Sequence, residues 1–169
     1  TNRFGQANSA AAFDGTAWID FGNNPALGFG NMSFTVSFWI NASGQDAYVL
    51  GNSFGGVDPG PYWSVQCENT PQDGLGVRLD LYDGTNHTPV TTGPGVFGDW
   101  HHVCMVIDRW QQKASAYLDG AMQSSFDISQ IGGLHNTNHL RMGWRTDWFK
   151  LNGRLDEVFI YNRVLTDAE

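Results

Sequence analysis

Sugar recognition needs flat aromatic faces that stack on CH groups and planar polar side chains that hydrogen-bond hydroxyls. The stretch Trp144-Arg145-Thr146-Asp147-Trp148-Phe149 holds both kinds in a segment that reads as a loop. Trp144, Arg145, Asp147 and Trp148 are therefore candidate ligand contacts. Asp46 and Tyr48 open a short strand-like run, and Trp63 is followed by Gln66 and Glu68; these residues offer the same mixture at one end of the fold or on its concave sheet. The competing reading is packing. With 7 Trp and 11 Phe, most rings have to fill the space between layers. Trp18, Trp39 and Trp100 are expected in the core, and Trp148, between Asp147 and Lys150, at the surface.

Catalysis finds less support. Glycoside hydrolysis needs two carboxyl groups in one cleft, about 5 to 9.5 Å apart. Glu68, Glu157 and Glu169 are far apart in the chain, and Asp156-Glu157 is the one adjacent carboxylate pair. Neighbours on a strand point to opposite faces, so that pair cannot serve one cleft unless a bulge intervenes. His101 and His102 diverge for the same reason, and no Ser or Cys at an elbow-like turn accompanies them. The chain is expected not to be an enzyme.

The elements that position these residues are strands. In the run from Trp100 to Gly120, Val103, Met105 and Ile107 alternate with His102, Cys104, Val106 and Asp108, and Ala114 to Leu118 alternates likewise. Asp119-Gly120 supplies residue types that accept the positive φ angles of a tight hairpin turn into Ala121–Ile128. Phe34, Val36, Phe38 and Ile40 share one face of the clearest strand, with Thr35, Ser37 and Trp39 on the other. Trp63, Val65 and Cys67 alternate with Ser64 and Gln66; Val77, Leu79 and Leu81 alternate with Arg78, Asp80 and Tyr82. An opening hairpin is expected around Asp14-Gly15, a polar connection over Asp83–Asp99, and further strands over Ala47–Leu50, His139–Trp144 and Gly153–Asn162. No window longer than a turn keeps a helical period. The expectation is all-β: a two-sheet antiparallel jelly-roll β-sandwich.

At 169 residues, 41% hydrophobic and with 21 Gly, the chain fits one domain, residues 1–169, with its own core. Starting at Thr1 and ending at Glu169 just after a patterned strand, it reads as a segment excised from a larger multidomain protein. A formal net charge of −8 excludes the phosphate-neutralising surface of a nucleic-acid binder and attraction to anionic lipid. No apolar run is long enough for membrane insertion as a helix. Whether Cys67 and Cys104 form a bridge or stay as buried thiols is open.

The phrases FDGTAWIDFG, SFTVSFWIN, DWHHVCMVID with ASAYLDG behind it, and GRLDEVFIYNRVLTDAE, in this order, together resemble the laminin-G-like, concanavalin A-like lectin/glucanase superfamily over almost the whole chain. The resemblance implies the concanavalin A-like jelly roll, a fold that hosts lectins, adhesion modules, pentraxins and glycanases. Around the W-H-x-C phrase it is similar to pentraxins, which bridge two strands by a disulfide. Ser37 stands where the first cysteine is expected and Cys104 where the second is, so that bridge cannot form; the bacterial accessory-module type fits better. The resemblance also implies one structural Ca²⁺ where the first and last strands approach, held by Asp14 and Asp156 with Gly15 and Asn41 as supplementary donors. The alternative is an Asx turn at Asp14 and surface pairing of Asp156.

These readings converge on a non-catalytic, lectin-like module of a secreted or cell-surface protein, extracellular, linked to neighbouring domains and binding a poly- or oligosaccharide. The alternative of a different class is a cell-adhesion or spacer domain making protein contacts. A glycoside hydrolase comes third.

Overall fold

Side chains that alternate along a strand give it two unlike faces, and a face made of Phe, Val and Ile is covered by a second layer. The computed structural model, which describes residues 1–43, 46–53, 60–70, 74–96, 98–144 and 149–169, has two such layers. Its strands are β1 (Ala11–Asp14), β2 (Ile19–Asp20), β3 (Phe34–Ala42), β4 (Ala47–Gly51), β5 (Tyr62–Thr70) and β6 (Gly74–Tyr82). They continue with β7 (His87–Thr91), β8 (His101–Asp108), β9 (Lys113–Leu118), β10 (Ala121–Asp127), β11 (Arg141–Met142) and β12 (Asn152–Tyr161). Sheet I runs β1-β12-β3-β8-β9-β10 and sheet II runs β2-β11-β4-β5-β6-β7. Every pairing is antiparallel. This is the expected jelly-roll sandwich.

Between the sheets, Phe34, Val36, Phe38 and Ile40 of β3 and Val103, Met105 and Ile107 of β8 meet Trp63, Val65, Leu79, Leu81 and Val90, all with no exposed surface. Each such aliphatic or Phe side chain stabilises the fold by roughly 1.5–3 kcal/mol relative to exposure. Trp63 is the large ring at the centre, 5.5 Å from Phe34 and 6.1 Å from Phe29. The hairpin at Asp119-Gly120 forms as read, with φ of 50° and 80°.

Four expectations are corrected. Residues 11–20 do not form a hairpin: β1 joins β12 in sheet I and β2 joins β11 in sheet II. The turn at Asp14-Gly15 carries the chain from one layer to the other. The connection 83–99 contains a strand, β7, whose Pro89 is accommodated because β7 is the edge of sheet II. Trp18, Trp39 and Trp100 lie outside the inter-sheet core: Trp18 is 44% exposed and the other two are half-buried. Trp39 faces outward from sheet I, where the Arg3 guanidinium sits 4.6 Å from its ring.

Asp156 and Glu157, expected to diverge, turn to the same side. β12 carries a bulge between Asp156 and Phe159, with Glu157 at φ 46°. One guanidinium, Arg3, contacts both carboxylates, at 3.5 Å and 2.8 Å. The cysteines are free: Cys67 faces the core and Cys104 lies on the outer face of sheet I, where it stands opposite Ser37 in the register. Burial pushes their thiols up to about 12 and about 11.

Candidate functional site

The four residues expected to hold an ion do not assemble an oxygen cage. Asp14 pairs with Asn152 on β12, so Asp156 lies four residues further along that strand, on the order of 13 Å away at the usual strand rise. Asp14 instead closes an Asx turn. Its Oδ1 accepts from the Thr16 hydroxyl (2.6 Å), the Thr16 N–H (2.8 Å) and the Ala17 N–H (3.0 Å). Those bonds, the Thr16 hydroxyl first, hold its carboxyl down at about 2. Asn41 donates to the Gly98 carbonyl at 3.0 Å, and Gly15 donates its N–H to Leu151 O. Calcium takes about six to eight oxygens, and this set presents no shared centre. Among the described residues, no group of three or more His, Cys, Asp or Glu side chains converges as metal ligands.

The expected ligand contacts that are described fall partly on one face and partly in the core. Arg145, Asp147 and Trp148 lie outside the described residues. Trp63 belongs to the core, because period two puts it on the inner face of β5 together with Val65 and Cys67. Tyr48 is also fully buried, but outside the hydrophobic cluster, on the outer side of β4 opposite Gln66. Asp46 is exposed just before β4, at φ 51°. Trp144 is half-buried, and its surroundings define the site.

That site is the outer face of sheet II. The register lines up Asp20, Arg141, Gly51, Ser64, Asp80 and Pro89 in one cross-strand row over six strands. The next row towards one end holds Tyr48, Gln66, Arg78 and Thr91; the next towards the other holds Tyr62, Tyr82 and His87. These are the polar halves of the alternations in β5 and β6. A solvent-facing polar row is normally exposed, yet Ser64, Gln66 and Asp80 are at most 4% exposed.

Burial of polar groups is tolerated here because they satisfy each other. Gln66 Nε2 donates to Asp80 Oδ2 at 2.6 Å and to Ser64 Oγ at 3.3 Å. Arg78 donates to the same Asp80 oxygen at 2.9 Å and pairs with Glu68. His87 Nε2 lies 2.8 Å from Asp80 Oδ1. Gly51 makes the floor possible: a Cβ there would stand 2.6 Å from Ser64 Cα and 2.8 Å from the Tyr48 hydroxyl.

Aromatic pairs stand at both ends of this floor. Trp18 and Trp144 lie 5.0 Å apart at 38°, with the Arg141 guanidinium 5.4 Å and 5.2 Å from the two rings. Arg141 Nε is 3.3 Å from Asp20, whose carboxyl the neighbouring His139 ring, 2.8 Å away, holds below the usual carboxylate range. At the other end Tyr62 and Tyr82 pack at 5.3 Å and 45°, with His87 edge-on to Tyr82. Tyr62 is fixed by its neighbours, since Asn136 donates to Pro61 O at 2.6 Å and Asn52 accepts from Trp63 N–H at 3.0 Å. Asp83 braces the β6–β7 turn through Thr85, Asn86 and Gly132 N–H groups, which outweigh its burial and lower its carboxyl pKa.

Rings for stacking beside carboxylate, guanidinium and imidazole groups are the chemistry of hydroxyl-rich ligands. Of this set, Trp144, Tyr48, Gln66 and Glu68 were reached from sequence as candidate ligand contacts. Trp18, Arg141, Tyr62, Arg78, Asp80, Tyr82 and His87 were not, although the alternations Tyr62-Ser64-Gln66-Glu68 and Arg78-Asp80-Tyr82 already placed most of them on one face.

On sheet I, the two neighbouring histidines diverge. His101 Nδ1 lies 2.8 Å from Asp119, while His102 packs on Trp39 with Nε2 2.9 Å from Ser37 Oγ. Burial lowers the His102 pKa.

The two-sheet antiparallel sandwich defines the class, a concanavalin A-like jelly roll. Residues 13–169 match the family model of the concanavalin A-like lectin/glucanases superfamily, of laminin-G type, and the chain belongs to that family. It is similar to the CBM40 domain of the Ruminococcus gnavus IT-sialidase bound to alpha2,6 sialyllactose, with a TM-score of 0.73 and 16% identity, covering 95% of this chain and 94% of that one. Domain 4 of an extracellular arabinanase from Geobacillus stearothermophilus, in complex with arabinotriose, superposes with a TM-score of 0.70 at 18% identity, over 94% of this chain and 73% of that one. In sequence, the non-toxic nonhemagglutinin type D from Clostridium botulinum D phage is 20% identical over 124 residues, which is 71% of this chain. The chain spans about a tenth of the length of that curated relative.

Proposed function

We propose that this domain is a non-catalytic, lectin-like module of a secreted or cell-surface protein, and that it binds a poly- or oligosaccharide on the outer face of sheet II. One observation carries the reading: the pairs Trp18–Trp144 and Tyr62–Tyr82 bracket a hydrogen-bonded polar floor. The rings would stack on sugar faces, while Arg78, Glu68 and His87 at the rim would exchange hydrogen bonds with hydroxyls. The floor beneath would hold them in place. Solved relatives of this fold carry sialyllactose or arabinotriose, which supports a sugar as the ligand class.

The reading uses no ion, since Asp14 and Asp156 serve a turn and an ion pair. It assigns no catalytic residue, because Arg3 occupies the Asp156-Glu157 pair. Neighbouring domains are expected in the parent protein, as the relative's far greater length suggests. A glycan array probed with the domain and with a Trp18→Ala/Tyr82→Ala variant tests the proposal. Binding by the domain and its loss in the folded variant is the expected result; equal binding by both moves the site elsewhere.

An adhesion role through protein contacts is the second reading. It is favoured by Trp110, 94% exposed at the β8–β9 hairpin tip, beside Met32, 56% exposed.

A further inference from the structure

Solved relatives of this fold hold both a charged and an uncharged sugar, so the fold leaves the ligand's charge open. The side chains of the sheet II face address it. Among its described residues, three carboxylates, Asp20, Glu68 and Asp80, accompany two guanidiniums, Arg78 and Arg141. Neither guanidinium is spare. Arg78 is gripped from two sides by Glu68 and Asp80, and Arg141 lies against Asp20 while also stacking between Trp18 and Trp144.

A sialic or uronic acid binds best through its carboxylate, most strongly by a two-pronged contact to an arginine. On this face such a carboxylate meets an Arg78 fork already turned to two internal carboxylates and an Arg141 whose Nε already faces Asp20, and it competes with those carboxylates for both. The domain's formal charge of −8 adds repulsion at longer range. A neutral sugar faces no such conflict. The Glu68–Arg78 pair, with side chains 28% and 26% exposed, offers an acceptor and a donor side by side, the pattern that a vicinal diol satisfies by donating one hydroxyl and accepting with the other.

We infer that the sheet II face selects uncharged oligosaccharides and rejects those bearing a carboxylate, because its own carboxylates hold both arginines. This rests on the carbohydrate-binding reading above. The test is titration calorimetry of the domain with arabinotriose and lactose against 3′- and 6′-sialyllactose and a galacturonate trisaccharide, at low and at physiological salt. The tightest binder is expected to be neutral, at least tenfold ahead of every acidic probe, with an affinity insensitive to salt. A Glu68→Gln/Asp20→Asn variant, which takes Asp20 from Arg141 and one of the two carboxylates from Arg78, is expected to narrow that ratio at least tenfold. If the tightest binder carries a carboxylate, or the variant's ratio is unchanged while its circular dichroism stays native, the inference is overturned and the glycan-binding reading stands. If no probe binds at millimolar concentration, both fall.

Discussion

Arg78 donates to the Asp80 carboxylate at 2.9 Å with both side chains turned away from the inter-sheet core, and Asp80 is still only 1% exposed. A carboxylate this deep persists because Gln66 and His87 also reach it. Replacing Asp80 with Ala leaves a guanidinium and an amide facing an empty site. The expected loss is about 3 kcal/mol in urea unfolding, the order seen when one partner of a buried pair is removed. A loss below about 1 kcal/mol contradicts the assigned network.

Gly51 carries the second prediction. Its φ of 151° and the Trp63 carbonyl 2.6 Å from where a Cβ would stand leave no room for a side chain. Gly51→Ala is expected to destabilise the domain by roughly 2 kcal/mol, from strain and displacement of Tyr48. At this size that is a fall in Tm of about 4–8 °C. A neutral effect would mean that β4 sits differently against β5.

The Asx turn engages the Asp14 carboxylate without an ion. Thermal unfolding in millimolar calcium and in excess chelator is expected to give the same midpoint. Binding to the native state alone would raise it by linkage, about 2.7 kcal/mol at a hundredfold excess over Kd. A chelator-induced drop contradicts the Asx-turn assignment and restores a calcium site built on Asp14, Gly15, Asn41 and Asp156.

His102 sets a pH dependence. Burial depresses its pKa in the folded state, so between that value and the unfolded value of about 6.5 the unfolded chain binds more protons. Stability from this group is therefore complete above about pH 6.5 and declines as the pH falls below it. His102→Gln is expected to flatten the stability profile below about pH 6.5, measured by urea titration at each pH. An unchanged slope would assign the acid sensitivity to other groups.

The alternations of β3, β5, β6 and β8 were legible because a sandwich strand must keep one apolar face, and Asp119-Gly120 was legible because few residue types accept two positive φ angles. What periodicity does not report is which layer a strand joins. Asp14-Gly15 reads identically whether the chain returns along its own sheet or crosses to the other. Nor does alternation say whether a polar half faces water, so the buried row of Ser64, Gln66 and Asp80 looked like an ordinary solvent face. Trp63 and Trp18 show the same limit: one ring fills the core and the other lines a surface, and what separates them is the partner strand. The bulge that turns Asp156 and Glu157 together depends on Glu157 at a positive φ, which no local signal announces.

The central claim is that glycans dock between the aromatic pairs of sheet II. Titration calorimetry of the tightest glycan-array ligand into the domain, into Tyr62→Ala/Tyr82→Ala and into Trp110→Ala tests it most directly. With both tyrosines gone and the fold intact, affinity is expected to fall at least about tenfold, the order of two lost stacking contacts, while Trp110→Ala binds as the parent does. Full affinity in the tyrosine variant, or loss of binding in Trp110→Ala alone, would contradict the account.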